Sequence, residues 1–320
     1  MPSALTTRLR LSGPLDLART VGPIRLGRND PRIRVLGDVL WRATRTELGP
    51  ATIRVRVAQD VVAHAWGPGA PCALDGLPAL LGELDDAAGF EPHHHPVVKA
   101  LARAHPGLRL PRTGAVFEAA VPAIISQKVT GLEAKRAFSA LVRRHSDRAP
   151  GPADGPELWL PPTPAVVAAL AGHRWPTLGL DGDRAATLRR AAAVADRLNG
   201  LATLAAHRAS ADLRSIPGIG PWTAAEVTLA SHGDADAVSV GDYHLKNRVS
   251  FALAGEPRGT DERMLELLEP FRPHRARVVR LLETAGRPAP RYGPRATLPT
   301  HLPAPWSAGH PMRRATMKAQ

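Results

Sequence analysis

Two glycines in four residues, in Pro217-Gly218-Ile219-Gly220, stand between two stretches of helical periodicity in the segment Leu213 to Val249. Such a turn lets the backbone come close to a ligand and leaves N–H groups pointing outward. Pro221 suits the start of the second helix, where a missing N–H costs nothing. A helix N-terminus beside outward N–H groups favours an anion, so this turn is built to hold a phosphate. Some twenty residues later, Val240-Gly241-Asp242-Tyr243 sets one carboxylate ahead of another helical run. Read locally, Asp242 caps a helix beginning at Tyr243. Either feature alone is common in helical proteins, and their conjunction is the specific signal.

Other reactive side chains offer less. His93-His94-His95 suggests a metal, but consecutive loop residues seldom aim three imidazoles at one ion. No acidic or cysteine partner is expected at ligand spacing. His145, His274 and His301 show no pairing with serine or cysteine that would suggest nucleophilic catalysis. The one cysteine, Cys72, excludes an internal disulfide framework, a Cys-rich zinc site and a cysteine-ligated iron–sulfur cluster.

The elements that must position these residues fall into three parts. Across 1–92, turn chemistry at Asn29-Asp30-Pro31 and Gly37-Asp38, with alternation at Ile53, Val55 and Val57, predicts a small antiparallel sheet domain with one buried face. A short apolar helix and a polar loop close this part. Across 93–285 the period becomes helical, notably from Val116 to Arg144. The Pro/Gly stretch DRAPGPADGPELWLPPTP interrupts that run as a linker, and further helical segments follow to Ala285. The stretch 286–320 carries six Lys or Arg, no acid and many prolines, which predicts a mobile basic tail.

Forty-two Lys and Arg against 29 Asp and Glu leave a net charge of +13 in 320 residues, with a pI near 11.1. That balance suits a polyanionic partner. No stretch approaches the ~20 apolar residues of a membrane span, and the N-terminus lacks a signal-peptide core. A cytoplasmic protein that binds nucleic acid, without a membrane or an obligate protein partner, is expected.

The full pattern of apolar-Pro-Gly-apolar-Gly-x-x-Thr-Ala followed by Val-Gly-Asp-Tyr resembles the helix-hairpin-helix–GPD superfamily of DNA glycosylases. It is most similar there to the bacterial 3-methyladenine DNA glycosylase II type. The resemblance covers about Phe117 to Ala285 and includes FEAAVPAIISQKVT. It implies a mainly α fold: an α+β sheet domain, then a two-lobed helical domain with the cleft between its lobes. It implies duplex DNA containing damaged bases as the partner. Asp242 becomes the catalytic carboxylate, stabilising the positive charge that builds on the sugar as an N-glycosidic bond breaks. Trp222 occupies the place where bifunctional members carry a lysine nucleophile, so no Schiff base and no strand-cleaving lyase activity are expected. Lys128 and Lys246 do not match that position.

An extruded base would stack on Trp222 and Tyr243. Glu226, on the same helix face as Trp222, and Glu283, on the last helix, stand where the pattern usually has aromatics. One or both carboxylates are expected to favour a cationic, N3- or N7-alkylated purine. Ion pairs with neighbouring arginines, such as Arg280 with Glu283, are the competing reading. Gln127 matches the family's glutamine near the intercalating position, and Lys128 stands where a wedge residue would be. Gly218, Ile219, Gly220, Thr223, Lys246 and Arg248 are the remaining expected DNA contacts. The resemblance also implies a monovalent cation, Na+ or K+, on the carbonyls of Arg214, Ile216 and Ile219, bridging to a phosphate, and no other cofactor. Rival readings are a glycosylase for a bulky or deaminated lesion, and a damage-binding protein that no longer catalyses.

Overall fold

The computed structural model describes residues 4–290 and residue 302. The expected tail therefore lies, beyond 290, almost wholly outside the described residues. Five antiparallel strands, β1 (Leu5–Leu9), β2 (Ile33–Leu36), β3 (Val39–Thr46), β4 (Gly49–Val57) and β5 (Val61–Trp66), form one sheet in the order β1-β5-β4-β3-β2. The β2–β3 hairpin turns at Gly37-Asp38, where Gly37 has φ +60°, a conformation glycine adopts without a Cβ penalty. Alternation along β4 places Ile53 and Val55 on the buried face, joined there by Leu40 of β3 and by Val61, Ala63 and Ala65. The short helices Ala70–Asp75 and Leu77–Leu80 cover that face. The sheet ahead of a helical body is as expected, except that β1 carries little alternation and was not legible as a separate strand.

The Pro/Gly stretch is more than a linker. It folds back over the other face of the sheet, where Leu158 and Leu160 are buried against Ala43 and Trp41 packs beside them. Trp41 itself stacks on Trp66, with ring centroids 5.6 Å apart and planes 13° from parallel. A polar, proline-rich segment can thus be held by two leucine anchors that its composition conceals.

Among the described residues the helical body has two large apolar cores. One is gathered from Val116 to Val227, with Phe138, Trp175, Leu188 and Leu213 among its buried members. The other draws on two distant parts of the chain, Val98 and Leu108 with Val238 to Leu282. The helical run expected from Val116 to Arg144 is two helices, Val116–Ile125 and Gly131–His145. Ser126 Oγ donates to the Pro122 carbonyl at 2.8 Å, and Lys128 then takes φ +54°. Thr130 and Glu133 start the second helix with a reciprocal capping box. Apolar spacing continues through the break, which is why periodicity alone misses it.

A buried charge network fastens the sheet to this body. Glu118 on helix Val116–Ile125 accepts from Arg32 at 3.3 Å, from Arg42 at 3.1 Å and from the Thr44 hydroxyl at 2.7 Å. Asp30, in the expected Asn-Asp-Pro turn, pairs with Arg32 at 2.9 Å. Charges this deeply buried are tolerable only because each has partners. No helix among the described residues is long and apolar enough to cross a membrane.

Candidate active site and nucleic-acid interface

Helices Ala206–Arg214 and Pro221–His232 flank the Ser215–Gly220 turn and form the hairpin. Gly218 has φ +95°, and a Cβ there would stand 2.1 Å from Thr187 Oγ1, so both conformation and space demand glycine. Gly220 faces open space, leaving a free approach to the turn. Ile219 N–H donates to the Ile216 carbonyl at 2.9 Å and closes the turn. The Ile219 side chain is buried, so only its backbone is available to a ligand. Arg190 donates to the Pro217 carbonyl at 3.1 Å and braces the loop from outside.

Gln127 and Thr223 hold the hairpin from beneath. Gln127 Nε2 donates to the Gly218 carbonyl and to Thr223 Oγ1, each at 2.8 Å. The Thr223 side chain, expected at the DNA interface, is buried and serves here as an internal anchor of the hairpin. Gln127 shapes the turn whose other side is free. Lys128, one residue on, is exposed in a left-handed conformation. The carbonyls of Ile216 and Ile219 lie on this turn, and Arg214 ends the helix before it. Neutral oxygens beside an open glycine suit a weakly charged hard cation.

Asp242 sits across from the hairpin and is held on both oxygens. Oδ2 accepts from Trp222 Nε1 at 3.2 Å, while Oδ1 accepts from the backbone N–H groups of His244 and Leu245, each at 2.8 Å. The helix it introduces is Leu245–Ala254, two residues later than the expected start at Tyr243. Trp222 belongs to the helix that packs in the first core, whereas Asp242 lies between Val238 and Leu245 of the second. Their bond therefore spans the two lobes. Gly241, with φ +92°, donates its N–H to Asp261 at 3.1 Å and fixes the approach to this loop.

Every residue from Thr223 to His232 is buried except Glu226, which is half-buried. Glu226 takes its hydrogen bond from the Ser239 hydroxyl, in the loop that leads to Asp242. Burial of the carboxyl group pushes it up to about 7; the Ser239 hydrogen bond is the main opposing influence, the charges of Glu283 and Asp242 add to the rise, and Arg280 opposes it least. Glu283 is exposed and pairs with Arg280 at 2.7 Å, the ion pair weighed against a pocket role. Tyr243 is 75% exposed, set edge-on to His244, and stacks on nothing inside the site. Lys246 lies 3.6 Å from Asp261, and Arg248 donates to the Leu282 carbonyl at 3.4 Å, so both have partners within the chain. Ser239 and Arg280 belong to the site although sequence reasoning gave Ser239 no role. Its one signal in the sequence is its place three residues before Asp242.

The histidine run departs from expectation in one respect. Glu91 does stand at ligand spacing, with its carboxylate 2.9 Å from His94 Nε2 and 3.9 Å from His93 Nε2. All three are at the surface. His95 instead caps helix Pro96–Ala104 and bonds the Leu253 carbonyl at 2.8 Å.

A five-stranded antiparallel sheet joined to two helical lobes, with the hairpin and an aspartate facing across them, is the fold of the helix-hairpin-helix glycosylases. The likeness read from Pro-Gly-Ile-Gly and Val-Gly-Asp-Tyr is borne out by particular relatives. The chain is 32% identical over 152 residues to DNA-3-methyladenine glycosylase 2 of Escherichia coli K12, a match covering 46% of this chain and 52% of the relative. The match thus spans about half the length of that curated relative. Among solved structures, a 3-methyladenine DNA glycosylase from Archaeoglobus fulgidus superposes with a TM-score of 0.73 at 18% identity, covering 87% of this chain and 97% of its own. An 8-oxoguanine glycosylase/lyase from Clostridium acetobutylicum, solved with double-stranded DNA, does so with a TM-score of 0.67 at 16% identity, covering 88% and 96%. No protein-family model matches the chain.

Proposed function

We propose that this protein is a monofunctional DNA glycosylase that removes cationic N3- or N7-alkylated purines from duplex DNA in the cytoplasm and leaves an abasic site. The observation that carries the reading is the clamp on Asp242: three N–H donors fix both oxygens of one carboxylate at the junction of the lobes. As the bond between C1′ and the base lengthens, positive charge grows on the sugar ring. A carboxylate already oriented stabilises that charge without reorganising, an effect worth ~10²-fold or more in rate. The same group can align the water that adds to C1′. A cationic base departs as a neutral molecule and needs no proton, so one carboxylate is enough for that chemistry.

The hairpin supplies the grip on DNA. Gly220, at the N-terminus of helix Pro221–His232, borders open space in which a phosphate can dock on the backbone. The carbonyls of Arg214, Ile216 and Ile219 would hold a monovalent cation bridging to that phosphate, adding attraction without chemistry. Lys128 is placed to meet the backbone or the gap left by the base. Trp222 offers the ring for stacking, and negative charge on Glu226 and Glu283 favours a cationic base over a neutral one. Trp222 in place of a lysine leaves no amine for a Schiff base, which supports the absence of lyase activity.

Incubation with methylated duplex DNA tests this reading. The expected result is release of 3-methyladenine and 7-methylguanine without strand nicking, reduced at least ~100-fold by Asp242→Asn with DNA affinity retained. Strand nicking by the pure protein, or equal release by Asp242→Asn, would refute it.

A further inference from the structure

Glu226 is the one residue between Thr223 and His232 that is not buried, and it lies one helical turn beyond Trp222 on the same face. Trp222 reaches Asp242, so that face is turned toward the Asp242 loop. The loop answers from its other end. Ser239, whose carbonyl accepts the Asp242 N–H at 3.1 Å, donates its hydroxyl to Glu226. Two carboxyl groups are thus held to the same few residues, one by the indole and two backbone N–H groups, the other by a single hydroxyl. The last helix adds Glu283 and its partner Arg280.

We propose that Glu226 is a second catalytic carboxyl, which in its protonated form donates that proton to the leaving base and extends excision to neutral lesions such as deaminated purines. The proposal rests on the glycosylase reading above. A neutral purine is a poor leaving group because the electron pair of the broken bond would leave it as an anion. Here the C1′–N9 bond breaks, its electron pair passes to the purine, and the Glu226 proton moves to a ring nitrogen as it does so. The base leaves neutral. The sugar cation formed beside Asp242 takes up water at C1′, whose proton passes to solvent, and Glu226 recovers its own proton from solvent.

Two unequal carboxyls can divide acid and base roles in one site. The groups that act on Glu226 are Asp242 from its loop, Glu283 and Arg280 from the last helix, and the Ser239 hydroxyl. Elsewhere around its helix, the short turn Gly22–Ile24 brings no ionisable side chain. On helix Val116–Ile125 the one charged residue, Glu118, is held by Arg32 and Arg42. The charged residues of helix Ala206–Arg214, namely His207, Arg208, Asp212 and Arg214, are exposed. Desolvation of its carboxyl group first, and then two nearby negative charges, keep the Glu226 proton up to about 7, so both protonation states are accessible near neutrality. Ionised, Glu226 favours a cationic base; protonated, it serves a neutral one.

The test is single-turnover release of hypoxanthine and of 7-methylguanine from duplex oligonucleotides between about pH 5.5 and about pH 8.5. In the unmodified protein, hypoxanthine release should decline as pH rises through about 7. Glu226→Gln should lower the ratio of hypoxanthine to 7-methylguanine release ~100-fold and remove the decline. Ser239→Ala, which removes the one hydroxyl favouring the ionised form, should move the decline upward by about one pH unit. Equal losses for both bases in Glu226→Gln would make Glu226 a structural partner of Ser239 and overturn the proposal. Release of 7-methylguanine but never hypoxanthine would overturn it while leaving the glycosylase reading intact; release of neither would end both.

Discussion

Replacing Glu226 by glutamine should stabilise the folded protein in alkaline solution and do little in acid. Glutamine keeps the shape, and its amide oxygen still accepts from Ser239, so the perturbation is the removal of a titrating charge. In the folded chain the carboxyl is pushed up from an ordinary 4.5 to about 7, by burial first and then by Glu283 and Asp242. In the unfolded chain it returns to the ordinary value. Below that value both states hold the proton, and the charge costs nothing. Between the two values the unfolded state releases its proton while the folded state keeps it, so stability falls as pH rises. Above about 7 both are ionised and the full cost is present. The displacement corresponds to an upper bound of about 3 kcal/mol; with screening by solvent at a half-buried site, about 1–3 kcal/mol is expected. Urea unfolding at several pH values measures it directly. Glu226→Gln should match the unmodified protein near pH 4.5 and exceed it by about 1–3 kcal/mol near pH 8.5, with a Tm higher by about 2–6 °C. A gap of the same size at every pH, or a less stable variant in alkali, would refute the assignment of a raised proton affinity to this side chain.

Two further substitutions probe the frame that carries the site. Gly218→Ala places a Cβ against Thr187 and strains φ +95°, so it should destabilise the protein by about 2 kcal/mol and weaken binding to duplex DNA, as read by melting and by anisotropy titration. Unchanged melting would show that the turn needs neither the space nor the conformation. Glu118→Ala leaves Arg42 without its carboxylate and Arg32 with Asp30 alone, which should cost about 3 kcal/mol in urea unfolding. A loss below about 1 kcal/mol would mean that the network does not fasten the sheet to the helices.

Much of the site's local geometry is legible in single stretches of chain. Gly218 and Gly220 mark the hairpin turn, Pro221 the helix after it, and Asp242 a helix cap, because φ preferences and capping bonds act over a few residues. Alternation in β4 announces the sheet for the same reason, since period two is a property of one strand. The break at Ser126–Thr130 is hidden by apolar spacing that runs on through it, although Thr130 and Glu133 spell a capping box. What depended on distant segments could not be read this way. Thr223 is an internal anchor because Gln127, from another helix, reaches it. The second lobe exists because Val98 and Leu108 pack with residues beyond Val238. The proline-rich stretch is ordered because its Leu158 and Leu160 find Ala43. By itself the sequence determined the residue types of the candidate site: an aspartate ahead of a helix, a tryptophan and a glutamate one turn apart, and a glycine turn at a helix N-terminus. Only the tertiary structure decided that Asp242 is clamped across two lobes while Glu226 holds its proton toward neutrality. Hydrogen-bond partners and burial come from segments far apart in the chain, and a carboxyl's proton affinity follows its surroundings more than its identity.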